Sequence, residues 1–135
     1  MVKILLIDDE ETNDLIFSHI IGENEVVESY HYENNGWAAL HFLASCENNG
    51  NTFPDIIFVD LNMPEMHGFD FIEFYEKKFF HTHSKTKVVV LTSSDLNKDK
   101  EKAHQFSSVS AFINKAKGEE MVLDTIQGYE NNMAR

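Results

Sequence analysis

Cysteine is almost absent. Cys46 is the single cysteine in 135 residues, so neither an intrachain disulfide nor a four-thiolate metal site can form, as expected of a reducing compartment. It reads as a small core residue. Basic residues are also scarce: Lys+Arg total 11 against Asp+Glu 23, a net charge of −12 that repels a phosphate backbone or an anionic bilayer at long range. Nucleic acid and membranes are therefore poor partners. The balance suits a cation site, a basic partner or a solvated acidic surface. No stretch approaches the ~18 apolar residues of a membrane span, and the N-terminus lacks the basic segment and apolar run of a secretion signal. A cytoplasmic protein is the expectation. Internal repeats, coiled-coil heptads and low-complexity linkers are missing as well.

What is present is globular. Hydrophobic residues make up 42% and charged residues 25%, which argues against disorder and a collagen-like chain. On the prior of roughly 100 to 200 residues per domain, residues 1–135 form one domain. The run Val2-Lys3-Ile4-Leu5-Leu6-Ile7 is short, β-branched and nearly unbroken, as in a strand buried on both faces of a parallel sheet. Similar runs recur at Glu25 to Tyr32, Asp55 to Val59, Lys87 to Leu91 and Ser110 to Ile113. Each is followed by helix-like spacing, at residues about 11 to 22, 36 to 47, 68 to 79, 96 to 106 and 118 to 130. Five strand-helix units predict an α/β doubly wound parallel sheet with five helices. The third helix is unusually aromatic: Phe69, Phe71, Ile72, Tyr75 and Phe79 can face the sheet, while Phe74 projects elsewhere.

In such a sheet ligands bind beyond the carboxyl ends of the strands. The first strand ends in Asp8-Asp9, the third in Asp60, the fourth in Thr92-Ser93 and the fifth in Lys115. One strand ending in Asp is an ordinary turn or cap; coincidence across four strands is not. Two carboxylates ~4 Å apart repel by about 4 kcal/mol at an effective dielectric of 20, so three together need a cation or must take up protons. Oxygen ligands without a His/Cys set favour Mg²⁺, completed by phosphate oxygens. The site therefore expects a phosphoryl group, with Lys115 as its point charge, Thr92 as a hydroxyl donor and Asp60 as a candidate acceptor.

The segments Ile4-Leu5-Leu6-Ile7-Asp8-Asp9-Glu10, Pro54 to Gly68, Val90-Leu91-Thr92-Ser93-Ser94 and Ala111-Phe112-Ile113-Asn114-Lys115 together resemble the receiver domain of bacterial two-component response regulators, the CheY-like family. The resemblance implies a flavodoxin-like fold with strand order 2-1-3-4-5. It also implies that Asp60 is the phosphoacceptor. Asp9, Asp60 and the main-chain carbonyl of Asn62 would ligate Mg²⁺, and Asp8 would act largely through water. Thr92 and Lys115 would contact the phosphoryl group, and Thr92 with Phe112 would form the switch. The donor would be a sensor histidine kinase or a histidine phosphotransfer protein, and the output an unidentified protein. Such a receiver catalyses only its own phosphorylation and dephosphorylation. Only Asn131 to Arg135 follow the last helix, so a stand-alone receiver without an output domain is expected.

Three departures stand out. Phe112 lacks the tyrosine hydroxyl of many relatives, His67 replaces a common Asp and reads as a loop or helix-cap residue, and Ala116 replaces the usual proline after Lys115. Without proline a cis peptide costs roughly 3 to 4 kcal/mol, which predicts a trans Lys115–Ala116 bond and a shifted loop, with Lys115 still reaching Asp60. His81 and His83 read as solvated loop residues, with no carboxylate nearby in sequence to complete a metal set. Two rival functions remain. One is a pseudo-receiver that signals without phosphorylation. The other is an aspartyl-phosphate phosphohydrolase, weakened because Asn62 stands where a general acid is needed.

Overall fold

Strand and helix alternate along the chain: β1 (Val2–Ile7), α1 (Glu11–Ile21), β2 (Val27–Glu33), α2 (Gly36–Asn48), β3 (Ile56–Asp60), α3 (Gly68–Lys78), β4 (Lys87–Thr92), α4 (Asn97–His104), β5 (Val109–Asn114) and α5 (Gly118–Met133). The computed structural model describes residues 1–93 and 97–133. Ser94 of the third matching segment, Leu96 at the expected start of the fourth helix, and Ala134 and Arg135 lie outside the described residues.

All five strands are parallel, in the order β2-β1-β3-β4-β5 expected from the resemblance. Period-two alternation sorts their side chains onto two faces. Leu5, Ile7, Ile57, Val59, Val88 and Val90 pack in one cluster with residues of α2 and α3. Val2, Ile4, Leu6, Phe58, Val89 and Leu91 pack in a second cluster with residues of α1 and α5. Burial on both faces is why these strands read as continuous apolar runs. No helix among the described residues is long and apolar enough to cross a membrane.

Element ends follow local hydrogen bonding. The second strand begins at Val27 rather than Glu25, because Asn24 forms a turn: its carboxamide accepts the Val26 amide at 3.1 Å and its carbonyl accepts the Val27 amide at 3.1 Å. In α3 the expected face is buried, with Phe69, Phe71, Ile72 and Tyr75 inside and Phe79 after them, while Phe74 points outward. In α5 the buried stripe is Val122, Ile126 and Tyr129, and Met121 is exposed. The helix also continues to Met133, past the expected end near 130. α4 ends at His104, short of 106; Ala103 is its buried residue, so little packing extends it.

Asn35 caps α2 by accepting the Ala38 amide on its side chain at 2.8 Å. Asn35→Ala leaves that amide without its acceptor and is expected to lower stability by about 1 kcal/mol in urea melts. His67 caps α3, its Nδ1 accepting the Phe69 amide at 3.2 Å. Gly68 is required by proximity: a Cβ there would sit 2.6 Å from the Asp60 carbonyl oxygen and 2.7 Å from Leu61 Cα. The start of α3 is thereby pressed against the backbone that carries Asp60, and the Gly68 amide donates to the Leu61 carbonyl at 2.8 Å.

Candidate functional site

The chain winds from β1 outward to β2, then returns to β3 and continues to β5 on the other side. The crevice at this reversal lies between the carboxyl ends of β1 and β3, where a doubly wound sheet binds ligands. Asp8 and Asp9 follow β1, and Asp60 closes β3. One carboxylate oxygen from each of the three lies within 4.8 Å of the others. The sequence expectation of converging acids is met.

The three carboxylates are held differently. Asp8 is fully buried. Its Oδ2 receives Lys115 Nζ at 2.9 Å and Asn13 Nδ2 at 3.0 Å, its Oδ1 receives the Glu10 amide at 3.0 Å, and its main-chain carbonyl accepts the Tyr32 hydroxyl at 2.6 Å. Asp60 Oδ1 stands 3.4 Å from Lys115 Nζ. Burial pushes the Asp60 carboxyl up to about 6; Lys115 opposes the rise and Asp8 adds to it. For Lys115, burial favours the neutral amine, but the Asp8 hydrogen bond and the charges of Asp60 and Asp8 prevail and raise its pKa. Asp9 is the odd one. Its Oδ1 is buried and takes no hydrogen bond from the described residues. A buried carboxylate oxygen without a donor is costly unless a cation faces it, and an all-oxygen donor set suits a hard divalent ion. These residues therefore fit Mg²⁺.

Thr92, at the end of β4, is fully buried, and the side chain of Asn62 is exposed in the loop after β3. Phe112 pairs with Val90 in the β4–β5 ladder, two residues before Thr92, and is half-buried against the α2–α3 side of the core. The described residues contain no cis peptide, so the Lys115–Ala116 bond is trans. The chain leaves β5 through a 3-10 turn, Lys115–Lys117, in which the Ala116 amide donates to Asn114 Oδ1 at 2.8 Å. Proline has no such donor.

Two residues that the strand-end reading missed support the site. Asn13 lies in the first turn of α1, and Tyr32 near the end of β2. Tyr32 could have been found by including the second strand's end in that reading; burial and the nearby Asp8 push its hydroxyl up to about 12. The site opens beside Lys115 into a crevice of about 350 Å³ between α1 and α5, with Ile16, Ile20, Leu91 and Val122 on its apolar walls. The loop histidines need one correction. His83 does have a carboxylate partner, Glu47 Oε2 at 3.0 Å, and its ring stacks on Phe53 at 3.6 Å between centroids. Glu47 reaches it from the end of α2, a proximity invisible in local sequence. Among the described residues, Asp8, Asp9 and Asp60 form the one acidic, histidine or cysteine cluster with metal-site spacing.

The sequence profile of the response regulator receiver domain matches residues 4–127. The chain belongs to that family. A two-component response regulator from Cytophaga hutchinsonii is 27% identical, with a TM-score of 0.81 over 93% of this chain and 96% of that one. The Vibrio cholerae chemotaxis protein CheY4 is 24% identical, with a TM-score of 0.76 over 96% and 98%, and shares the fold. A Burkholderia thailandensis protein, protein-glutamate methylesterase/protein-glutamine glutaminase 3, is 34% identical over 73 residues, covering 54% of this chain and 19% of that protein. The matched stretch is thus a small part of that relative. Receiver domains serve two-component signalling, and five parallel strands in the order 2-1-3-4-5 with five helices make this the flavodoxin-like CheY fold.

Proposed function

We propose that this receiver is a Mg²⁺-dependent phosphoacceptor switch, in which Asp60 takes a phosphoryl group from a histidine kinase or histidine phosphotransfer protein. The carrying observation is the company Asp60 keeps: Lys115 at 3.4 Å, and Asp8 and Asp9 in one cluster within 4.8 Å. A nucleophile, a cation for the phosphoryl oxygens and acids for a metal stand together. Asp9, Asp60 and the Asn62 main-chain carbonyl would hold Mg²⁺, with Asp8 acting through water. The bound ion supplies positive charge against the phosphoryl oxygens.

In the transfer, an Asp60 carboxylate oxygen forms a bond to phosphorus as the phosphorus–nitrogen bond of the donor phosphohistidine breaks. The donor nitrogen keeps the bonding pair and takes up a proton. Lys115 offsets charge on the transferred group, and the Thr92 hydroxyl donates to it. The crevice beside Lys115 leaves an approach for the donor. Thr92 and Phe112 then act as the switch, and the surface of α4, β5 and α5 carries the signal to an output protein in the cytoplasm. The receiver turns over no substrate beyond its own phosphorylation and dephosphorylation.

Incubation with acetyl phosphate and Mg²⁺, followed by intact mass and peptide mapping, is expected to find one phosphoryl group on Asp60 and none in Asp60→Asn. Label on Asp8 or on a histidine rejects the assignment. No label from any small donor favours the pseudo-receiver.

A further inference from the structure

Two of the large exposed apolar side chains stand side by side. Trp37 in α2 and Phe74 in α3 are 48% and 45% exposed, and their ring centroids are 5.5 Å apart with planes tilted by 45°. Leu40 and Ala44 continue the apolar wall along α2, and the two helices border a groove of about 440 Å³. Single exposed hydrophobes are ordinary; an aromatic pair opening onto a groove marks a contact surface. From Trp37 to Ala44 the wall runs about 10 Å at 1.5 Å per residue, the reach of two turns on one face of an incoming helix.

The charges around it select the partner. The chain as a whole has net charge −12. Yet the charged side chains lining this groove are Lys77 and Lys78, with His41 also at the lining, and no carboxylate among the described residues lines it. Asp70 and Glu73 of α3 are exposed outside the lining, and Glu76 turns away to accept the Ser108 amide at 2.7 Å. A cationic rim on an acidic molecule complements an anionic ligand of limited extent.

We propose that the α2–α3 groove docks an acidic amphipathic helix of a partner protein. Its apolar residues at i, i+3 or i+4, and i+7 lie against Trp37, Leu40, Ala44 and Phe74, and its carboxylates lie over Lys77 and Lys78. The aromatic pair supplies affinity, and the exposed lysines supply orientation and selectivity. An anionic bilayer would face the acidic molecule broadly, whereas one helix can sit within a Debye length of the lysines, ~8 Å at physiological ionic strength. A second copy of the chain would bring another −12 to the contact.

The test uses the full chain and a displayed library of helical peptides with randomised faces and no tryptophan. Trp37 is the chain's single tryptophan, so its emission reports the groove. Selected peptides are expected to carry an apolar stripe flanked by Asp and Glu and to shift Trp37 emission to the blue. They should lose affinity about tenfold against Lys77→Glu/Lys78→Glu, which changes exposed positions and keeps the reporter. Phe74→Ala should weaken them comparably, with circular dichroism showing that both variants fold. The proposal is overturned by an empty selection, by basic or uncharged selected peptides, or by binding that leaves Trp37 emission and the double variant unaffected. Emission that shifts with protein concentration alone, or with phosphatidylserine vesicles but no peptide, overturns it too.

Discussion

Asp60→Asn is expected to stabilise the metal-free protein near neutral pH by on the order of 3 kcal/mol while removing its phosphoacceptor. Burial pushes the Asp60 carboxyl from 3.8 to about 6, with Lys115 opposing the rise and Asp8 reinforcing it. Each unit is worth about 1.4 kcal/mol between folded and unfolded chains. The folded state holds this proton more tightly than the unfolded state. The linked stability is therefore present in full below 3.8 and is lost as pH rises through about 6. Asparagine resembles the neutral acid and carries no such loss. Urea melts of the two proteins without metal should nearly coincide near pH 4 and diverge to a plateau above about pH 6 to 7. Parallel curves across that window would refute a strained Asp60 charge. A carboxylate kept in an unfavourable place for stability is the kind of group a functional site retains.

Magnesium should act on the same strain from the other side. At 100 times its dissociation constant the ion is expected to stabilise the fold by about 2.7 kcal/mol, a rise in Tm of roughly 10 °C for a domain of this size. Asp9→Ala should erase most of that gain, because it removes the buried carboxylate oxygen that no donor of the described residues satisfies. Without metal the variant should melt no lower than the parent, since it loses a like charge beside Asp60. Thermal melts with and without Mg²⁺, in both proteins, provide the check. An undiminished Mg²⁺ response in Asp9→Ala would place the ion elsewhere.

Much of the fold was legible in the sequence because its signals are local. Strands buried on both faces must be apolar nearly throughout, so β1 and β3 announce themselves in the runs Val2 to Ile7 and Asp55 to Val59. The acids that end them could be placed on one rim because a parallel sheet brings its strand ends together. Phe74 could be turned outward by counting 100° per residue from its buried neighbours in α3. The strand order came through the family resemblance rather than through any local pattern.

Tertiary packing alone decided what depends on distance along the chain. Lys115 pairs with Asp8 across 107 residues, Tyr32 reaches the Asp8 carbonyl across 24, and His83 meets Glu47 across 36. Each requires a particular register of strands and seating of helices, which no short window of sequence encodes. Trp37 and Phe74 become one surface only when α2 and α3 are laid side by side. The rise of Asp60 to about 6 likewise comes first from burial, a property of the assembled core. The sequence by itself determined the period of each element and the residue types at the strand ends, because hydrogen-bond spacing and one-sided burial act over a few residues. Which of those side chains touch, and which carboxylate is left without a donor, depended on close packing among segments far apart in the chain, where a shift of one residue turns a strand's side chains to the opposite face.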